Sequence, residues 1–271
     1  MSFNNKVVII TGASSGIGKA LATEFAARGA NLILAARQYV TLCEIAQSLQ
    51  QQYNIKAVAV QCDVSVEEDC KLLIKQTMAT FGRIDVLINN AGISMRALFN
   101  DADLAVLKKL MDVNFWGTVY CTKYALPQII STKGSVVGVS SIAGYKGLPG
   151  RTGYSASKFA MNGFLDSLRI ENLKTGVHVM TACPGFTASN IRNTALAKDG
   201  SQQGESSMDE SKMMTSEEVA KLIANGVESR KRTLILTFQG KLTVFLSKIL
   251  PSFLDKMVYN VFAKEKDPLL K

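Results

Sequence analysis

Histidine and tryptophan each occur once in 271 residues, as His178 and Trp116. A single imidazole argues against His-based zinc sites and against a Ser-His-Asp triad, so no metal is expected. Five cysteines (Cys43, Cys62, Cys70, Cys121, Cys183) form no CxxC pair and are odd in number. That reads as reduced, buried thiols rather than a disulfide framework. No apolar run reaches the ~18 residues that a membrane-spanning helix requires. The opening residues Met1–Lys6 run straight into Val7-Val8-Ile9-Ile10, leaving no room for a signal peptide, and a cytoplasmic protein is expected. What is present, 47% hydrophobic and 20% charged residues, is the composition of one globular domain. A chain of this length buries roughly three-quarters of its unfolded surface without staples.

The net charge of +9 is uneven. Residues 228–271 hold nine Lys/Arg against four Asp/Glu, more than half of the whole excess. Nothing in this distribution points to nucleic acid. A basic end is either a solvated surface or a site for anionic lipid or an acidic substrate.

Along the chain, short β-branched runs alternate with helix-length segments. The runs are 6–11, 31–36, 56–61, 84–88, 134–139, 176–182 and 233–237, and the helical patterns include 17–28, 39–53, 66–80, 102–130 and 154–173. Apolar runs without clean alternation are strands covered on both faces. Repeated strand–helix alternation predicts a doubly wound α/β fold: a mostly parallel seven-stranded sheet with helices on both sides, in a single domain. Residues 1–239 form the main body, and 240–271 an apolar, basic helical extension of it. Within 186–216, the polar stretch 197–216 is poorly periodic and reads as a mobile active-site loop.

After the first strand comes Thr11-Gly12-Ala13-Ser14-Ser15-Gly16-Ile17-Gly18, which opens a helix. Gly12 allows a sharp turn, Gly16 lets backbone approach a pyrophosphate, and Gly18 lets the helix sit close to the sheet. The helix start offers free N–H groups and a positive dipole end to phosphates. The second strand ends at Ala36-Arg37, where an acid would accept hydrogen bonds from a ribose 2′-OH. A guanidinium there suits a 2′-phosphate, with Ser14 adding a hydroxyl. NADP(H) is therefore favoured over NAD(H).

Tyr154 and Lys158 stand four apart on a predicted helix, on one face. Ser140-Ser141 ends a strand thirteen residues earlier, and Asn89-Asn90-Ala91-Gly92 ends another. With these motifs the sequence resembles a short-chain dehydrogenase/reductase of the Rossmann type over about residues 5–237. The resemblance rests on the glycine loop at 11–18, Asp63-Val64, NNAG at 89–92, Asn114, Ser141, Tyr154-xxx-Lys158 and Pro184-Gly185.

It implies a catalytic tetrad of Asn114, Ser141, Tyr154 and Lys158. It also implies Asp63 and Val64 beside adenine, Asn90, Ala91 and Gly92 along the cofactor cleft, and Thr187 and Ser189 near the carboxamide. The family often has Ile or Val where Thr187 stands, and Thr where Ser189 stands. Tyr154 would then transfer a proton to or from a carbonyl oxygen held by Ser141, with Lys158 lowering the phenol pKa and Asn114 holding a relay water. An NADPH-binding sensor or scaffold without turnover is the alternative. Trp116 is read as core, His178 as structural, and Cys183 is given no chemistry.

Two features bear on partners. The Tyr154 helix is apolar on more than one face, which predicts a homodimer or homotetramer. Residues 240–262 carry regularly spaced apolar side chains with Lys241, Lys248 and Lys256, and Pro251 breaks them. They either pack on the domain or a partner subunit, or meet a membrane surface or cover a lipid-like substrate. A narrower resemblance, in Pro184–Ser201 and the basic apolar ending, is to acyl- or alkyl-dihydroxyacetone-phosphate reductases. It implies a small-molecule carbonyl or alcohol substrate of lipid-like character.

Overall fold

A computed structural model describes residues 3–187, 191–204, 213–265 and 268–270. Among these residues the β-branched runs form β1 (Val7–Thr11), β2 (Asn31–Ala36), β3 (Ala57–Gln61), β4 (Val86–Asn89), β5 (Ser135–Val139), β6 (His178–Cys183) and β7 (Thr233–Ile235). They join one sheet in the order β3-β2-β1-β4-β5-β6-β7, and every pairing is parallel, not merely most. The order reverses between β1 and β4. In an open parallel sheet that switch point leaves a crevice beyond the carboxyl ends of the strands.

The helices α1 (Gly16–Ala27), α2 (Tyr39–Tyr53), α3 (Glu67–Phe81), α4 (Leu104–Met111), α5 (Gly117–Thr132), α6 (Thr152–Glu171) and α7 (Ser216–Glu228) cover both faces. Successive residues of β1 explain why the run is uniformly apolar. Val8 and Ile10 enter one core, with Leu21 and Phe25 of α1 and Ile223 of α7. Ile9 enters the other, with Leu73 of α3, Ile129 of α5 and Leu165 of α6. His178 is structural, 6% exposed, with its ring nitrogens 3.0 Å from Ser135 Oγ and 2.9 Å from the Lys231 carbonyl.

The pattern at 102–130 is not one helix. A π-helical turn at Asp112–Trp116 separates α4 from α5. Such a turn inserts one residue and shifts the three- and four-residue spacing at that one point, which a coarse reading of the whole segment passes over. Trp116 is also not core: it is 43% exposed and stacks on Tyr120 with ring centroids 5.6 Å apart.

After β7, α8 (Phe238–Ile249) is capped by Thr237, whose hydroxyl accepts from Gly240 N at 2.9 Å. Pro251 opens α9 (Pro251–Phe262), where its missing N–H is not needed. One face of this pair, Gly240, Val244, Leu254 and Phe262, packs on the domain. The opposite face stays exposed. Beyond α9 the chain folds back, and Glu265 pairs with Arg151 at 3.2 Å and Arg96 at 3.5 Å. Part of the stretch read as a loop is tied down, since Leu196 bridges both Met95 and Gln202.

Candidate active site

The turn after β1 is shaped by what glycine leaves out. Gly12 has φ +65°, and a Cβ there would stand 2.8 Å from Ala91 Cα. A Cβ on Gly18 would fall 2.1 Å from the Gly12 carbonyl oxygen and 2.6 Å from Asn90 Nδ2. Helix α1 therefore starts directly against the end of β4. Asn90 locks that junction by donating from Nδ2 to the Thr11 and Gly12 carbonyls at 2.9 and 3.3 Å. Thr11 Oγ1 accepts from the backbone N–H of Asn90 and of Ala91, both at 3.0 Å. Thr11 was read as the opening residue of the glycine loop, without a role for its hydroxyl, which pins the NNAG segment.

A cleft of about 510 Å³ opens from this loop along the strand ends. Ser14, Ser15, Gly16, Ile17, Arg37, Asp63, Val64, Ala91, Gly92, Ser141, Tyr154, Lys158, Pro184, Gly185 and Thr187 line it together with Gly12, Gly18 and Asn90. Asp63 forms a local turn, accepting from Ser65 N at 3.0 Å and Ser65 Oγ at 2.7 Å. Gly92 keeps the floor open, because a Cβ there would stand 3.2 Å from Asn114 Oδ1 and 3.5 Å from Lys158 Nζ. Thr187 donates to the Gly185 carbonyl at 3.2 Å. Ser189 lies outside the described residues.

Asn114 is the exception among the expected residues. It is fully buried behind the cleft wall, within the π-helical turn. Its Oδ1 accepts from Ile93 N at 2.8 Å, while Nδ2 donates to the Ile93 carbonyl and Ser157 Oγ, both at 2.9 Å. Ser157 in turn donates to the Tyr154 carbonyl at 2.7 Å. Asn114 thus joins the cleft floor to the Tyr154 helix. Ser157 sits in the Tyr154-xxx-Lys158 spacing, but no chemistry singled it out.

Tyr154 and Lys158 lie on one face of α6, with Nζ 5.8 Å from the tyrosine ring centroid. Lys158 is 3% exposed and donates to the Val139 carbonyl at 2.9 Å. Burial pulls its pKa down to about 8, and Cys183 pulls the other way. Burial pushes the Tyr154 hydroxyl up. What draws it back is a hydrogen bond with Ser141 and the positive charges of Arg151 and Arg192. Cys183 is fully buried and held up at about 12 by burial, so it is an inert thiol.

Arg151, Arg192 and Lys109 also line the cleft, and the motifs gave no sign of them. Arg151 is 8% exposed, donates to the Pro149 carbonyl at 3.2 Å and lies 4.8 Å over the Phe262 ring. The residues present suit a dinucleotide: a glycine loop at a helix start for phosphates, a cation at the end of β2, and a Tyr–Lys pair at the far end.

A family model for short chain dehydrogenase matches residues 6–200. The 11-beta-hydroxysteroid dehydrogenase-like 4A of Arabidopsis thaliana is 38% identical over 255 residues, covering 93% of this chain and 83% of that protein. Dehydrogenase/reductase SDR family member 7B of Mus musculus is 33% identical over 267 residues, covering 97% and 83%. An alcohol dehydrogenase from the archaeon Thermococcus sibiricus, solved with 5-hydroxy-NADP, superposes with TM-score 0.77 and 25% identity over 86% of this chain and 96% of its own. A short chain dehydrogenase/reductase from Burkholderia phymatum, in complex with NAD, reaches TM-score 0.83 at 22% identity, over 93% and 96%. One neighbour carries an NADP derivative and the other NAD, so cofactor choice does not follow from likeness. The chain belongs to the short-chain dehydrogenase/reductase family, oxidoreductases that act between CH–OH and C=O with a nicotinamide cofactor.

Proposed function

We propose that this protein is an NADP(H)-dependent oxidoreductase that interconverts a ketone and a secondary alcohol of lipid-like character, with Tyr154 as the acid/base. The observation that carries the reading is the meeting of Ser141, Tyr154 and Lys158 in one cleft with the glycine loop. The nicotinamide cofactor supplies or takes the hydride. In reduction Tyr154 gives its hydroxyl proton to the substrate oxygen; in oxidation it takes one from the alcohol. Ser141 donates a hydrogen bond to the same oxygen as charge grows on it. Lys158 holds positive charge near the phenol and reaches for the nicotinamide ribose, and Asn114 is the link of a proton relay from Lys158. Burial raises the Tyr154 hydroxyl and neighbouring cations draw it back, and hydride delivered to the carbonyl carbon makes the substrate oxygen basic enough to take its proton.

NADP(H) preference rests on Arg37, exposed at the end of β2 beside Ala36, with Ser14 in the lining of the same cleft. Asp63 lies at the end of β3, where adenine is expected. The test is NADPH consumption with a panel of ketones, alongside nucleotide titrations. Tyr154→Phe is expected to lose about a hundredfold or more in rate while still binding NADPH. Arg37→Asp is expected to reverse the nucleotide preference, because it replaces attraction to a 2′-phosphate by repulsion. Equal affinity of the parent for NADPH and NADH overturns the cofactor reading. Tight NADPH binding with no turnover on any substrate favours a sensor or scaffold.

A further inference from the structure

We propose that the outer face of α8 and α9 is a docking surface for an anionic phospholipid bilayer. Phe238, Leu242, Phe245 and Ile249 follow i, i+4, i+7, i+11 on α8 and are 82%, 44%, 61% and 58% exposed. On α9, Phe253, Met257 and Val261 repeat at i, i+4, i+8, and are 54%, 43% and 54% exposed. The inner faces of both helices are already occupied by the domain, so these stripes are what packing leaves over. Exposed apolar stripes on two adjoining helices mark an interaction site.

Charge selects the occupant. At 100° per residue, Lys241 and Lys248 fall on one flank of the α8 stripe, and Lys256 falls on the matching flank of the α9 stripe. All three are exposed. The one carboxylate on the two helices, Asp255, is paired with Lys146 of the domain. An apolar stripe edged by lysines matches the acyl boundary and anionic headgroups of a lipid surface. A second copy docked on the same face would set lysines against lysines, with each Asp255 already engaged.

The buried side of this helix pair touches residues that stand beside the substrate half of the cleft. A Cβ on Gly240 would stand 2.7 Å from Ile142 Cδ1, next to Ser141, and Phe262 lies on Arg151, three residues before Tyr154. Docking at this face deepens the lipid-like reading of the substrate, but its test does not depend on turnover.

The experiment is flotation of the full chain with vesicles of phosphatidylcholine alone or mixed with phosphatidylglycerol, at low and high salt. The expected result is retention on the mixed vesicles at low salt and release at high salt, because the lysine attraction is screened. A Phe245→Asp/Phe253→Asp variant is expected to lose retention while keeping the parent's NADPH affinity and sedimentation. A Lys241→Glu/Lys248→Glu variant is expected to lose the preference for phosphatidylglycerol. Absence of retention on mixed vesicles, or retention unchanged in both variants, overturns the proposal. A Phe245→Asp/Phe253→Asp variant that changes assembly state but not retention also overturns it, in favour of a second copy. Failure to reduce any ketone would overturn the oxidoreductase reading and leave the flotation result standing.

Discussion

Lys158 is a cation placed where a cation is costly. It is 3% exposed, its ammonium donates to the Val139 carbonyl, and burial brings its pKa to about 8. In the unfolded chain the same group titrates near an ordinary lysine value. Between the two values the unfolded state binds more protons, so this residue makes stability rise with pH across that window. At neutral pH the buried charge costs on the order of 3 kcal/mol relative to an exposed lysine. Lys158→Met is therefore expected to abolish turnover yet melt no lower than the parent near neutral pH without nucleotide. Its advantage should shrink toward about pH 10, where the native lysine is neutral. Thermal melts of both proteins across that range check it; a difference independent of pH would contradict the burial argument. On the mechanism proposed above, the site holds this charge because the reaction requires it, at the expense of fold stability.

At the scale of elements, the β1–α1 junction tolerates least. A methyl on Gly18 would meet the Gly12 carbonyl at 2.1 Å, so α1 must move off the sheet to admit it. Gly18→Ala is expected to destabilise by about 1–3 kcal/mol, as overpacking does, and to weaken NADPH binding more than a surface change would. Melting temperature and nucleotide titration read the two effects. This junction was legible in the sequence, because a glycine loop between a β-branched run and an amphipathic helix has a single physical meaning. The strands were legible within a residue or two for the same reason: runs buried on both faces carry their own boundaries. The π-helical turn was hidden because its one inserted residue shifts the apolar spacing at a single point of a long segment. Trp116 was misread because an apolar helix position says that something covers it, not what. Arg151 was missed because an arginine ahead of a helix belongs to no motif, and its partner Glu265 lies far along the chain.

On the whole molecule, some of the exposed apolar groups outside α8 and α9 lie on or beside α5 and α6. Trp116 and Phe159 are 43% and 47% exposed, and Ile170 and Leu173 are 59% and 73% exposed near the end of α6. An isologous contact needs only one such patch, so a homodimer or homotetramer is expected by sedimentation at micromolar concentration. Phe159→Glu is expected to shift the protein toward monomer; a parent that sediments as a monomer would refute the assembly. The buried pairing of Glu265 with Arg96 and Arg151 has a further consequence, in time rather than space. Glu265 is 114 residues downstream of Arg151, after every strand of the sheet. Domains consolidate from the N-terminus during translation. The residue that braces Arg151 is thus made after every strand that carries the glycine loop, and the Arg151 side of the cleft is expected to be the last part to set.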